Sequence, residues 1–242
     1  MKKAGVTRLP HIWELLNMNN GPIQVKPEVI FFDAAGTLIH LVRPAGWHYA
    51  DIARKYGLSI EAAAMEAAFR QVWKTQAPRE ATLGPRVDDD RGWWKVLAIS
   101  TLRSSGIVPA GFPEDQWFDE VYVRFAEPNV WDLYHDVLPC LDRWQGQARL
   151  AVLSNFDCRL RVILAHLGID SYFEACLLSS EVGSDKPAAA FFHHACSIMN
   201  AEPARCLHVG DDPERDWAGA AQAGLSAFHL DRPATSLDDL RP

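Results

Sequence analysis

Val29-Ile30-Phe31-Phe32-Asp33-Ala34-Ala35-Gly36-Thr37-Leu38 decides how the rest of the chain is read. Two β-branched and two aromatic residues form an apolar run, the pattern of a buried strand. One carboxylate stands directly at its C-terminal end, and a Gly36-Thr37 turn follows. Open α/β sheets gather their chemistry outside the carboxyl ends of strands. Asp33 is therefore the first candidate for a reactive group.

Working outward, residues 40–46 carry Arg43-Pro44 and Gly46 and read as a hinge. The pattern then turns helical for about eighty residues. Residues 47–56 end at Gly57, a natural C-cap. Ser59 opens a helix over 60–74, with Met65, Phe69, Val72 and Trp73 on one side. A polar stretch, 77–92, contains Asp88-Asp89-Asp90, and helices follow at 93–103 and 114–125. Pro128 closes the block. Beyond it, strands at 149–153, 176–179, 206–209 and 226–229 alternate with helices at 137–145, 157–168, 188–199 and 214–223. Such alternation means βαβ units, a parallel sheet and right-handed crossovers. The expected fold class is α/β: a Rossmann-like parallel sheet core, residues 23–43 and 126–242, with an inserted all-helical cap at 44–125. Residues 1–22 read as a flexible leader, with a short helix at 11–18 as the alternative. Residues 235–242 read as a loose tail. The start is at Met1 or Met18.

The 242 residues are 48% hydrophobic, enough for one sizeable core and a smaller domain. The formal charge is -7, with no basic cluster beyond Lys2-Lys3, which argues against nucleic acid as a partner. Five cysteines with no CxxC spacing read as reduced core thiols. No apolar run reaches the ~18 residues of a membrane span, and no continuous apolar region suits a signal peptide. The expectation is a cytoplasmic protein with no membrane partner and an open oligomeric state.

Four strand ends carry polar residues of a matching kind. They are Asp33-x-x-Gly-Thr37, Ser154-Asn155, Lys186-Pro187, and Gly210-Asp211-Asp212 followed by Asp216. A parallel sheet brings all of them to one edge. A carboxylate can attack phosphorus. A second acidic group can hold Mg²⁺, which prefers oxygen ligands. Lysine, hydroxyls and backbone N–H groups can take up the charge of a transferring phosphoryl.

From Val29 to Leu230 these motifs resemble the haloacid dehalogenase-like hydrolase superfamily. The strongest match is residues 207–224, LHVGDDPERDWAGAAQAG. The tandem Trp93-Trp94 is similar to one subgroup with a helical cap. The resemblance implies an Mg²⁺-dependent phosphatase acting on small phosphorylated metabolites through an aspartyl-phosphate. It implies Asp33 as nucleophile and Lys186 as charge stabiliser. It implies Thr37, Ser154 and Asn155 as phosphate-binding residues. The metal would sit with Asp33, the Ala35 carbonyl, Asp211 and Asp216, with Asp212 in support. Cap closure would hinge near Arg43-Pro44 and residues 126–128.

Ala35 departs from that pattern. The family's phosphatases place an acid/base aspartate there, and losing a general acid/base costs ~10²–10⁴ in rate. Three readings stay open. A slow phosphatase could recruit His40 or His48. A phosphonoacetaldehyde hydrolase-like enzyme, which resembles Asp-x-Ala-Gly-Thr, would need a Schiff-base lysine from the cap, where Lys55, Lys74 and Lys95 lie. A non-catalytic module could use Trp73, Trp93, Trp94, Trp117 and Trp131 as a recognition surface, unless these are cap core.

Overall fold

A computed structural model describes residues 26–242 of the chain. The expected leader at 1–22, the 11–18 helix and the question of the start lie outside the described residues.

The sheet has five parallel strands in the order β5-β4-β1-β6-β7. These are β1 (Val29–Phe32), β4 (Arg149–Ser154), β5 (Ala175–Leu178), β6 (Cys206–Gly210) and β7 (Ser226–His229). The opening stretch supplies the central strand, all four of whose residues have no exposed surface. An uninterrupted apolar run suits that place, because a central parallel strand is covered on both faces. Its residues alternate between two cores. Ile30 and Phe32 face the helices Val137–Trp144 (α5) and Arg159–His166 (α6); Val29 and Phe31 face the helix Ala189–Ile198 (α8). Phe32 pairs with Val152 on one side and Val209 on the other. That register delivers the ends of β1, β4 and β6 to the same level of one edge.

The helices Ala45–Lys55 (α1), Ala62–Thr75 (α2), Arg91–Ser105 (α3) and Glu114–Arg124 (α4) pack on a core of their own. Ile52, Met65, Leu102, Trp117 and Phe118 lie at its centre. Helix starts differ from the sequence expectation by about two residues, as expected where no side chain caps the end. The helix expected from 60 begins at Ala62 with Glu61 at the cap position. The helix expected at 214–223 is a π-helical turn, Pro213–Ala218, continued by a short α-helix, Gly219–Gln222 (α9).

Three further features escape the sequence pattern. The expected hinge at 40–46 is overlapped at its start by β2 (Ile39–Leu41), which pairs antiparallel with β3 (Trp131–Leu133), and at its end by α1, which begins at Ala45. Three-residue strands are too short to show a period. The segment 77–90 straps the helical block onto the sheet domain. Thr82 N donates to Gly183 O at 2.8 Å, and Arg86 N to Ser180 O at 2.7 Å. Ser180 Oγ and Cys158 N both donate to the Asp89 carboxylate, at 2.5 and 3.0 Å. The residues expected as a loose tail are packed: Leu237 and Leu240 are fully buried. Arg143 donates to the Leu237 and Leu240 carbonyls at 3.2 and 3.0 Å, and Trp144 Nε1 to Leu240 O at 3.1 Å. Two leucines three residues apart on a capped 3₁₀ turn supply the anchor that composition concealed.

All five cysteines are free; Cys140, Cys196 and Cys206 are buried, whereas Cys158 is exposed rather than in the core. No described helix is long and apolar enough to cross a membrane.

Candidate active site

The edge where β1, β4 and β6 end carries a connected polar cluster. Lys186, on the loop after β5, is 3% exposed. Its Nζ donates to Asp33 Oδ1 at 2.7 Å and to Asp216 Oδ1 at 2.6 Å. Ser154 Oγ donates to the same Asp33 oxygen at 3.2 Å. Thr37 Oγ1 donates to Asp211 Oδ1 at 3.3 Å. The Asn155 amide is tied to the Lys186 backbone at both ends. Its Nδ2 donates to Lys186 O at 2.9 Å, and its Oδ1 accepts from Lys186 N at 2.7 Å. Asn155 thus fixes the segment that carries the lysine.

Two glycines make the cluster possible. Gly36 has φ +95°, which disfavours side chains, and a Cβ there would overlap the Asp211 carboxylate. A Cβ on Gly210 would overlap Asp216. Carboxylate oxygens of Asp33, Asp211 and Asp216 lie within 4.8 Å of one another, a grouping fit for a metal ion. Asp216 is held from two further sides. Asp212 N donates to its Oδ2 at 3.0 Å, and His208 Nε2 lies 2.8 Å from its Oδ1.

Burial opposes every charge in this group, and the partners decide which survive. At Asp33 burial wins: with Asp216 and Asp211 close by, it outweighs Lys186 and pushes the carboxyl up to about 6. At Asp216 burial loses to Lys186 and His208, which hold the carboxyl well below the usual range. Burial would strip the proton from Lys186, but the Asp216 and Asp33 carboxylates keep its ammonium above its ordinary value. Burial, aided by Lys186, lowers His208, so the ring is neutral. An ionised Asp216 can only accept, so His208 carries its proton on Nε2. Burial, then Asp216, raises Asp211.

Above the cluster lies a cavity of about 1150 Å³ between sheet edge and helices. Asp33, Ala35, Ser154, Asn155, Lys186, Asp211 and Asp216 all line it; Thr37, fully buried, does not. The opposite wall is aromatic, with Phe69, Trp73, Trp93, Trp94, Tyr122, Phe125 and Trp131 among its residues. Of the tryptophans weighed from sequence, Trp117 is the one in the cap core; the other four line the cavity. His40 and His48 do not line it. Among the cap lysines, Lys55 pairs with Glu120 and Lys95 with Asp115, each at 2.9 Å. Lys74 lines the cavity but is exposed, lacking the desolvation that makes a lysine nucleophilic.

Sequence reasoning missed His208, Arg79 and Arg159. His208 sits one residue from Val209 inside the best-matched motif, and its place on a buried strand is the signal. Arg159 is held by Asp157 through Nε at 2.7 Å and Nη2 at 2.6 Å, and stacks on Tyr122 across the cavity. Arg79 hangs from the strap segment over Trp93, 4.1 Å from the ring centroid. No local pattern announces either one.

Comparison with known proteins agrees with this geometry. The family model of the haloacid dehalogenase-like hydrolases matches residues 27–224. The mouse haloacid dehalogenase-like hydrolase domain-containing protein 3 is 34% identical over 207 residues, covering 85% of this chain and 82% of its own. Its human counterpart is 31% identical, covering 83% and 80%. These are proteins of the subgroup to which the tandem tryptophans pointed. Among solved structures, a HAD phosphatase from Thermococcus onnurineus superposes with TM-score 0.62 at 18% identity, covering 88% of this chain and 95% of that one. The putative HAD-hydrolase YfnB from Bacillus subtilis, solved bound to magnesium, gives 0.63 at 17% identity, covering 85% and 89%. The strand-edge cluster and these matches lead to one conclusion: the chain belongs to the haloacid dehalogenase-like hydrolase family.

Proposed function

We propose that this protein is an Mg²⁺-dependent phosphohydrolase of small phosphorylated metabolites, acting through an aspartyl-phosphate on Asp33. The observation that carries the proposal is Lys186, buried on the loop that leads away from β5 and bridging Asp33 to Asp216. A buried lysine held between two carboxylates is a fixed positive charge at the point where phosphoryl charge must be accommodated.

The acid cluster suits a hard divalent ion. Three carboxylates converge and Lys186 offsets them only partly, leaving Asp33 and Asp211 above their ordinary pKa. Asp33, Asp211, Asp216 and the Ala35 carbonyl would hold Mg²⁺, which when bound supplies positive charge beside the phosphoryl oxygens. This chain's residues do the rest. Ser154 and Lys186 orient the Asp33 carboxylate and receive the phosphoryl group, and Thr37 fixes Asp211. An Asp33 oxygen forms a bond to phosphorus while the ester oxygen departs. Water then attacks the acyl phosphate, and Asp33 is released as a carboxylate with inorganic phosphate. The cap, hinged near Arg43-Pro44 and residues 126–128, would exclude bulk water on closing.

Ala35 supplies no proton to the departing oxygen and takes none from the incoming water. Both steps lose that proton transfer; where the leaving oxygen is stable as an anion the first step still proceeds, and the expected signature is a burst of about one leaving group per chain, then slow turnover. The test is a rapid-quench assay with and without Mg²⁺ on the natural protein, Asp33→Asn and Ala35→Asp. A metal-dependent burst that Asp33→Asn abolishes, at a cost of about 10³-fold or more, supports the proposal. Ala35→Asp should speed steady-state turnover by about 10²–10⁴. Turnover unchanged in Asp33→Asn sinks the mechanism. Phospho-ligand binding with no product in any assay marks a binding module instead.

A further inference from the structure

Ala35 has a consequence for the substrate, and the cavity supports it from the other side. Ala35 lines the cavity beside Asp33. The proton-bearing groups of the reaction edge are already committed: Lys186 is bound to Asp33 and Asp216, and Asp211 accepts from Thr37 within the proposed metal cluster. His40 and His48 do not line the cavity, and His208 has no exposed surface and donates its Nε2 proton to Asp216. Asp185 is bound by Arg79 and Arg86. Asp212 accepts from Glu214 N and Arg215 N, at 2.9 and 2.8 Å, and Glu214 is exposed at the rim. An oxygen that departs without a proton must be stable as an anion. An aromatic hydroxyl meets that condition; an aliphatic alcohol does not.

The far wall suits the same organic group. Trp73, Trp93 and Trp94 pack on one another with centroids 5.0–6.0 Å apart. They present ring faces and edges to a cavity far larger than a phosphate. Two donors on that wall lack partners among the described residues: Trp94 Nε1 and Arg79 Nη2, both buried. The Arg79 side chain is only 9% exposed; its Nε faces Asp90 at 2.9 Å and its Nη1 faces Asp185 at 3.4 Å, so the ion pairs leave Nη2 over. Both atoms are shut off from the cavity surface, so the wall meets a ligand through its rings rather than through these donors.

We infer that the substrate class is an aryl phosphate: a phosphate monoester of an aromatic hydroxyl, whose ring lies against Trp93 and Trp94. This rests on Asp33 being the nucleophile. The Asp33 oxygen supplies the electron pair of the new O–P bond. The P–O(aryl) bond breaks, its pair leaves on the aryloxide, and solvent later protonates it. No co-reactant beyond water is needed.

The test is a leaving-group series run with Mg²⁺: phosphate monoesters of phenols of decreasing acidity, then benzyl and propyl phosphate. For the natural protein, burst rates should fall steeply as leaving-group pKa rises, with aryl esters ahead of propyl phosphate by about 10²–10⁴. Ala35→Asp should flatten the series by restoring the proton. Trp94→Leu, which removes the ring that the aryl group lies against, should raise KM for phenyl phosphate about fivefold and KM for propyl phosphate far less. An Asp33-dependent burst with a flat series overturns the aryl assignment and leaves the nucleophile standing. Equal KM effects of Trp94→Leu on phenyl and propyl phosphate overturn the ring contact. Turnover of no ester, or turnover indifferent to Asp33→Asn, removes the nucleophile and this inference with it.

Discussion

The two walls of the cavity are built on opposite principles. The sheet edge concentrates charge: Asp33 and Asp211 directly follow strands held in register, and Asp216 from the π-helical turn and Lys186 from a loop converge on them. The cap wall concentrates rings, with arginines whose charge is already answered by aspartates. The first wall is suited to one reaction, because moving any of its groups changes the electrostatics at the reacting atom. The second is suited to selecting an organic group, because ring stacking tolerates variation and discriminates by shape. On the proposed function the charged wall carries the chemistry and the aromatic wall the selectivity, and the β2–β3 ribbon and the strap join the two.

If that contrast is right, the sheet edge should be far more sensitive to substitution. Lys186→Met offers the largest stability effect. It leaves Asp33 and Asp216 buried without their cation, and breaking a buried pair from one side costs about 3–5 kcal/mol. Denaturant unfolding without metal should show the loss, and added Mg²⁺ should recover part of it, because a cation can take over the compensation. A cap change of comparable size, Trp73→Leu, should cost less in stability, since Trp73 is partly exposed. Equal losses at both places would erase the distinction between the walls.

The strap is where the two parts meet, and Asp89→Ala probes it. The Asp89 carboxylate receives Ser180 Oγ and Cys158 N from the sheet domain. Losing two charge-assisted bonds at a partly exposed site should cost about 1–3 kcal/mol. Hydrogen exchange of residues 77–90 should speed up, whereas exchange in β1 should stay unchanged. KM should rise with little change in the burst rate, because the strap carries Arg79 but none of the reacting groups. A burst rate that falls in step with KM would make the strap part of the chemistry.

The same contrast decides what could be read from sequence. Asp33, Ser154, Lys186 and Asp211 were legible because a strand and its following turn are local, and parallel register brings strand ends together without further information. Ala35 was legible for the same reason, as an absence at a fixed offset. His208 was harder: one polar residue inside a buried strand gives no period, and only Asp216 on the next turn explains it. The cap wall was not legible in this way. Trp117 and Trp94 both lie on helices with apolar spacing, yet one is core and the other wall. Which is which depends on where the helical block docks, a long-range matter carried by the strap. The strap is a polar segment held by backbone bonds from Thr82 and Arg86 and by side-chain bonds of Arg79, Arg86 and Asp89, whose distant partners composition does not reveal. The buried tail at Leu237 and Leu240 was missed likewise, because two leucines among polar residues do not make a pattern until Arg143 and Trp144 supply partners.

The smallest expected effect tests the contrast at its weakest point, a polar group buried in the cap. His48 is 3% exposed and both ring nitrogens lack partners among the described residues. It packs between Trp47 and Phe125, with centroids 5.1 and 5.4 Å away. Burial, reinforced by the Arg124 charge, lowers its pKa from 6.5 to about 4. At the sheet edge His208 is also buried and lowered, but it gives Asp216 a hydrogen bond in return. Because the folded pKa of His48 lies below the unfolded one, its contribution is fully present above pH 6.5. It is lost as pH falls toward 4, where the unfolded chain takes up the proton first. His48→Phe keeps the ring and removes both orphan nitrogens, so stability should rise by about 1 kcal/mol at neutral pH. The gain should widen as pH falls from about 6.5 to about 4, with activity unchanged because His48 does not line the cavity. Parallel stability curves for the two proteins would mean that His48 titrates freely in the folded state. The cap would then bury its polar groups no less carefully than the sheet edge does.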